Sequence, residues 1–201
     1  MPGGRPLEAH GGYLIRIESF QGLGLVRLAR EALVSDGVLG GLGALRVSVH
    51  RRRKLVRLAY EGLLSAERQR AHWYGEHHAL ARLLSRAANA TVHAYVFDPD
   101  SHEEVIAYGN GRRVGGDKLV YEDVELPGAA EEMDDAAFAQ LRSRWPLGHL
   151  AYVFGLKRED LLRLPRASSS AVLSLDSQDA EARLEELLPS PQLSRITPDA
   201  A

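Results

Sequence analysis

Residues 65–124 read SAERQRAHWYGEHHALARLLSRAANATVHAYVFDPDSHEEVIAYGNGRRVGGDKLVYEDV, and this stretch decides the fold. Ser65 carries the side chain of a helix N-cap. Beyond it, Trp73, His77, Leu80, Ala81, Leu84 and Ala88 recur at the three- and four-residue spacing that lines up one side of a helix. The spacing predicts a helix over 66–88, closed at Asn89. Three runs with strand-like composition follow, Thr91–Phe97, Glu104–Tyr108 and Lys118–Val124. They are joined by Asp98-Pro99-Asp100-Ser101 and by Asn110-Gly111, a dipeptide suited to tight hairpins. A helix leading into a three-stranded antiparallel meander is the predicted centre of the protein.

Upstream, Tyr13–Glu18 alternates as a strand does, and Leu25, Val26, Leu28, Ala29, Ala32 and Leu33 share one helical face. Asp36-Gly37 closes that helix, and the glycine-rich 37–43 stretch reads as a connector. Leu45–Val49 and Leu55–Tyr60 are expected to pair as a hairpin around Arg51-Arg52-Arg53-Lys54. Downstream, the acidic 131–135 run suits a helix N-terminus, with Phe138, Leu141 and Trp145 as that helix's apolar side. Short helices at 147–154 and 158–164, a strand at 172–175 and a helix at 178–188 complete the prediction. Strands grouped with helices, without regular βαβ alternation, imply an α+β fold: an antiparallel sheet of about five to seven strands with helices largely on one face. Residues 1–12 are expected to form a flexible arm, 13–188 a single domain and 189–201 a frayed tail.

The chain has 201 residues, 45% hydrophobic and 26% charged, enough to bury a sizeable core. It contains no cysteine, so thiolate metal sites and cysteine nucleophiles are excluded and a reducing, cytoplasmic setting is expected. Of the 25 basic residues only Lys54, Lys118 and Lys157 are lysines, a bias that suggests a GC-rich bacterial genome. No run approaches the ~18 apolar residues of a membrane span. The formal charge of −2 conceals an asymmetry: residues 1–90 carry 14 Lys/Arg against 7 Asp/Glu, and residues 91–201 carry 11 against 20.

Several clusters fall short of a known chemistry. His72 and Glu76 share a helical face, and His93, Asp98 or His102 could supply a third metal ligand, but neither H-E-x-x-H nor H-x-x-E-H is present. The glycines of 109–116 lie between two strands, so no helix N-terminus stands ready for a phosphate. Arg51, Arg52, Arg53 and Lys54, with Arg57 beyond, are the candidate nucleic-acid contacts; blunting of an exposed edge explains them equally well. Residues 149–164, with Ala151 and Gly155 at small-residue positions and Leu150, Phe154, Leu156, Leu161 and Leu164 at apolar ones, resemble the helix-turn-helix of many bacterial regulators. A second helix opening with Glu159 and Asp160 and stopped by Pro165 would be short and repelled by phosphates, so a compact helix pair packed on the core is expected.

The leading functional expectation is therefore a cytoplasmic, non-catalytic protein-binding protein, such as an immunity or inhibitor protein neutralising a toxin. Its contacts would be Glu122, Asp123, Glu125, Glu131, Glu132, Asp134 and Asp135, steering a basic partner. No cofactor is expected. The alternatives are a nucleic-acid-binding regulator using 51–57 or 149–164, and a metal-dependent enzyme at His72, Glu76 and His93.

Overall fold

The computed structural model describes residues 7–17, 19–35, 44–61, 67–124, 134–165, 171–174, 186 and 188. Along the chain run β1 (His10–Arg16), α1 (Ser19–Ser35), β2 (Ala44–His50), β3 (Leu55–Glu61), α2 (Glu67–Ala88), β4 (Val92–Asp98), β5 (His102–Gly109), β6 (Arg112–Val120), α3 (Asp135–Arg142), α4 (Pro146–Phe154), α5 (Arg158–Leu161) and β7 (Ala171–Ser174). The seven strands form one sheet, ordered β6-β5-β4-β1-β3-β2-β7, in which every neighbouring pair is antiparallel. This is an α+β fold. Its centre, β4-β1-β3-β2 with α1 and α2, has the split βαβ connectivity also called ferredoxin-like. The β5–β6 hairpin extends the sheet beside β4, and β7 extends it beside β2.

Alternation along the central strands buries both faces. Tyr13, Ile15, Val56, Leu58, Val92 and Ala94 point to the face covered by α1 and α2, where Trp73, Leu80, Ala81 and Leu84 complete one core. The intervening Leu14, Leu55, Tyr95 and Phe97 point the other way and meet Leu147, Leu150, Phe154 and Leu161 of α4 and α5. The two long helices thus share one face, as expected, and the short helix pair packs on the opposite one. Leu188 joins the first core; the rest of the expected 178–188 helix, except residue 186, lies outside the described residues, as do the first six residues and the 189–201 tail.

Most strand boundaries move by a residue or two from the sequence reading, and the start of β1 and both ends of β6 move further. The first strand begins at His10, inside the expected arm, because Gly11 and Gly12 are central strand positions and not linker. A Cβ on Gly11 would stand 2.8 Å from the Trp73 ring, and one on Gly12 would stand 2.6 Å from the Tyr95 hydroxyl on the other face. These glycines are places where rings press on the backbone from both sides. Strand β6 begins at Arg112, six residues earlier than expected at Lys118, because it is an edge strand exposed on both faces over most of its length and shows no alternation. Asn110 (φ 49°) and Gly111 (φ 76°) turn the chain into it with the paired positive φ angles of a tight hairpin.

Antiparallel register also sorts charge. Arg16, the 51–54 turn, and Arg112 and Arg113 gather at one end of the sheet. Asp98, Asp100, Glu122 and Asp123 stand at the other. The resulting polarity along the strands cuts across the sequence division near residue 90, since Arg112 and Arg113 come from the acidic half of the chain.

Gly12→Ala is expected to destabilise the protein by about 1–3 kcal/mol through overpacking. Gly24→Ala, at a helical position where a Cβ meets nothing within 4 Å, should instead stabilise it by about 0.5–1 kcal/mol. Urea denaturation of the two variants checks both signs.

Candidate functional site

On the face covered by α4 and α5, a cleft of about 390 Å³ opens between the end of β4, the turn after β6, and α3. Its walls are largely aromatic: Phe97, Tyr121, Phe138 and Trp145, with Arg142 and Arg158 between them. Each wall arises locally. Asp134 caps α3, its carboxylate accepting the Ala137 N–H at 2.7 Å, and so sets Phe138. Pro146 at the first position of α4 stops the preceding helix and leaves Trp145 at the N-cap, in extended backbone. Tyr121 follows β6 in a short 3-10 turn, its ring centroid 5.6 Å from that of Trp145.

Beneath the aromatic walls lies a buried ion pair. Arg158 donates to Glu103 Oε2 at 2.9 Å, with Glu103 fully buried and Arg158 only 11% exposed, and the guanidinium sits 5.3 Å from the Trp145 ring centroid. Burial raises the Glu103 carboxyl above its ordinary range, and the neighbouring Arg158 opposes that rise. Burial, reinforced by Glu103, pushes the Tyr121 phenol up to about 12. A closed-up cation and a neutral phenol suit a floor that orders the aromatic walls.

Acidic groups border the cleft. Glu122 and Asp123 follow Tyr121 and are exposed, as are Asp134 and Asp135 at the start of α3. The expected contacts Glu125, Glu131 and Glu132 lie outside the described residues. Four of the seven acidic residues singled out from sequence are therefore close in the chain to residues that line the depression, and the aromatic lining residues are not among the sequence candidates. Phe138 and Trp145 read as the buried side of a helix, whereas Trp145 lies beyond that helix, and Tyr121 carries no periodic signal at all.

Within the histidine-rich segment of α2, His77 is spent on structure. His77 stacks between Trp73 and Tyr13, with ring centroids 4.9 and 4.8 Å away. Tyr13 donates to the His77 carbonyl at 3.0 Å, which assigns the remaining protons: His77 Nδ1–H donates to Tyr60 (2.6 Å), and Tyr60 donates to Tyr13 (2.9 Å). The chain of donors closes on the residue where it began. A second proton on Nε2 would be a buried N–H without a partner, and burial holds the His77 imidazole well below its ordinary pKa.

A second chain runs along the hairpin between β4 and β5. Ser101 donates to Asp98 Oδ2 at 2.7 Å, so His102 Nδ1–H donates to Ser101 (2.7 Å) and Tyr74 donates to His102 Nε2 (2.6 Å). The serine hydroxyl points its proton at the carboxylate and not at the histidine, the reverse of an activated nucleophile.

The proposed metal ligands do not converge. His93 faces the α4 side of the sheet, against Phe154, while Glu76 belongs to α2 on the other side. The side chain of His72 lies outside the described residues. Among the described residues no group of three or more His, Asp or Glu could hold a metal ion.

Arg57 is likewise removed from the nucleic-acid candidates, because it is 4% exposed. Its Nε donates to the Tyr95 hydroxyl (2.9 Å), and its terminal nitrogens donate to the carbonyls of Asp160 and Arg163. His10, from β1, reaches the neighbouring Leu161 carbonyl at 3.0 Å. Arg51, Arg52, Arg53 and Lys54 remain exposed. The 149–164 segment is the compact pair expected, with α5 a single turn of four residues.

No family model matches this chain, and no curated protein or solved structure matches it. No helix of the described residues is long and apolar enough to cross a membrane.

Burial lowers the His10 pKa from 6.5 to about 4. Between those values the unfolded chain binds more protons than the folded one, so stability rises with pH and is lost as pH falls through the window. His10 contributes at most roughly 3 kcal/mol at about 1.36 kcal/mol per unit, because the carbonyls of Glu8 and Leu161 that face its two ring nitrogens favour the protonated ring. His77 acts in the same direction, and Glu103, raised by burial, opposes them at the acid end. The urea midpoint is expected to drop on acidification from neutral pH, and His10→Gln should flatten that dependence. A midpoint independent of pH would contradict buried neutral histidines.

Proposed function

We propose that the protein acts by binding another protein, as an immunity or inhibitor protein does, and that the aromatic cleft with its acidic border is the contact surface. The carrying observation is the juxtaposition itself. Tyr121, Phe138 and Trp145 line a depression large enough for an apolar anchor side chain, and exposed Glu122, Asp123 and Asp135 stand beside it. Aromatic-walled pockets supply most of the energy of protein interfaces, and rim charges select and steer the partner. The chemistry fits a basic segment presenting one apolar side chain. A toxin acting on nucleic acid would carry such a surface, and the cytoplasm would be the place of encounter.

Binding is favoured over catalysis at the cleft because His77, His102 and Ser101, three polar groups with catalytic potential, are engaged in internal donor chains. A photo-crosslinking residue in place of Phe138, in the full chain within its native cells, is expected to capture one basic protein. The paired substitution Glu122→Lys/Asp123→Lys should abolish that adduct and leave the unfolding free energy from urea denaturation within about 0.5 kcal/mol of wild type. An adduct indifferent to the charge reversal, or no adduct in cells where the protein is abundant, overturns the reading.

A further inference from the structure

The opposite end of the sheet carries different chemistry. Arg51–Arg53 form a 3-10 turn closed by Lys54 in left-handed conformation (φ 50°), and all four side chains are exposed. The turn is held rigidly: Lys54 N–H donates to the Arg51 carbonyl at 3.1 Å, and Ile17 N–H, just beyond β1, donates to the Lys54 carbonyl at 2.8 Å. Against it lies the C-terminal turn of α4. The Arg53 Nε is 3.7 Å from where a Cβ on Gly155 would stand, and Arg16 donates to the Val153 carbonyl at 3.1 Å while lying 5.3 Å from the Phe154 ring centroid. Arg16 and Arg53 answer the negative end of α4, which is a sufficient local role for them. The same turn presents four consecutive exposed cations to solvent.

Two further features adjoin these cations. Tyr152, in the same turn of α4, is 82% exposed. Beside it a cavity of about 260 Å³ is lined by His93, His149, Val153, Leu150 and Asp117. His93 Nδ1 is buried without a hydrogen-bond partner among the described residues, and burial together with Arg16 lowers the pKa of its imidazole. An imidazole and a carboxylate set in an apolar wall match the polar edge and flat face of a nucleobase. The carboxylate of Asp117 would repel a phosphate placed in the cavity and leave it on the arginine side.

We propose that this end of the molecule binds single-stranded nucleic acid, with phosphates against Arg16 and the 51–54 turn, one base stacked on Tyr152 and a neighbouring base in the cavity at His93 and Asp117. A duplex would satisfy the cations but could offer no free base to the ring or the cavity. Single-strand sites characteristically join a cationic track to an exposed aromatic ring in this way. The site is separate from the aromatic cleft and does not depend on the protein-binding reading.

Fluorescence anisotropy of a labelled oligo-uridylate and its deoxythymidylate counterpart with the full chain tests this. Affinity should fall between about 50 and 200 mM salt with a logarithmic slope near −3, the value for four or five phosphate contacts on a single strand. Arg52→Ala/Arg53→Ala should reduce the slope by about 1–1.5. Tyr152→Ala should weaken binding by about 5- to 150-fold with the slope unchanged, a separation that loss of folding would not produce. Equal binding of duplex, heparin or phosphatidylserine vesicles, or indifference to Tyr152→Ala, would show a general polyanion surface and overturn the proposal, as would absence of binding at low salt.

Discussion

The guanidinium of Arg57 ties the second helical layer to the sheet. It rises from the middle of β3 into a largely apolar interior, and it meets the Tyr95 phenol and two main-chain carbonyls at the end of α5. A cation buried this way is tolerable only because its donors are answered, and the carbonyls at the end of a short helix are answered only because it is there. The pose of α5 fixes Arg158, and through Arg158 the buried Glu103 and the Trp145 ring above it. The same docking places the last turn of α4 over the 51–54 turn. Both proposed surfaces, at opposite ends of the sheet, are held by one buried arginine.

Burial of both faces explains the distribution of polar chemistry. A sheet covered on one side can turn histidines and tyrosines toward water. Here His10, His77, Tyr13, Tyr60 and Tyr95 are buried, so each has to find partners inside. The closed donor chain through His77 is one solution, and the Asp98-to-Tyr74 chain is another. What remains for outside partners is therefore at the strand ends, where loops and helix termini meet solvent.

Legibility in the sequence followed locality. Helix α2 could be read almost to the residue because its buried positions repeat every turn, and the β5–β6 hairpin because Asn110-Gly111 has few other uses. Strand β6 could not be bounded, since an edge strand wetted on both faces has no reason to alternate. Gly11 and Gly12 looked like arm because the rings that exclude their side chains come from residues 73, 77 and 95. Arg57 looked like part of a surface run because its partners lie 38 to 106 positions away. The cleft was illegible for the same reason: Phe97, Tyr121, Phe138 and Trp145 belong to four separate segments, and only docking of the helices against the sheet makes them neighbours.

The sheet is also a partition. Gly11 and Gly12 are covalent neighbours, yet one abuts Trp73 and His77 and the other Tyr95, in cores that share no side chain. Tyr13 and Tyr60, 47 positions apart, share a proton chain. Energetic coupling in this molecule therefore follows the face of the sheet and not the order of the chain. Substitutions at adjacent positions of β1 can be tolerated or compensated independently, while a change at Tyr13 constrains what positions 60 and 77 can become. To selection, each central strand is two interleaved sequences, every second residue answering to a different set of helices.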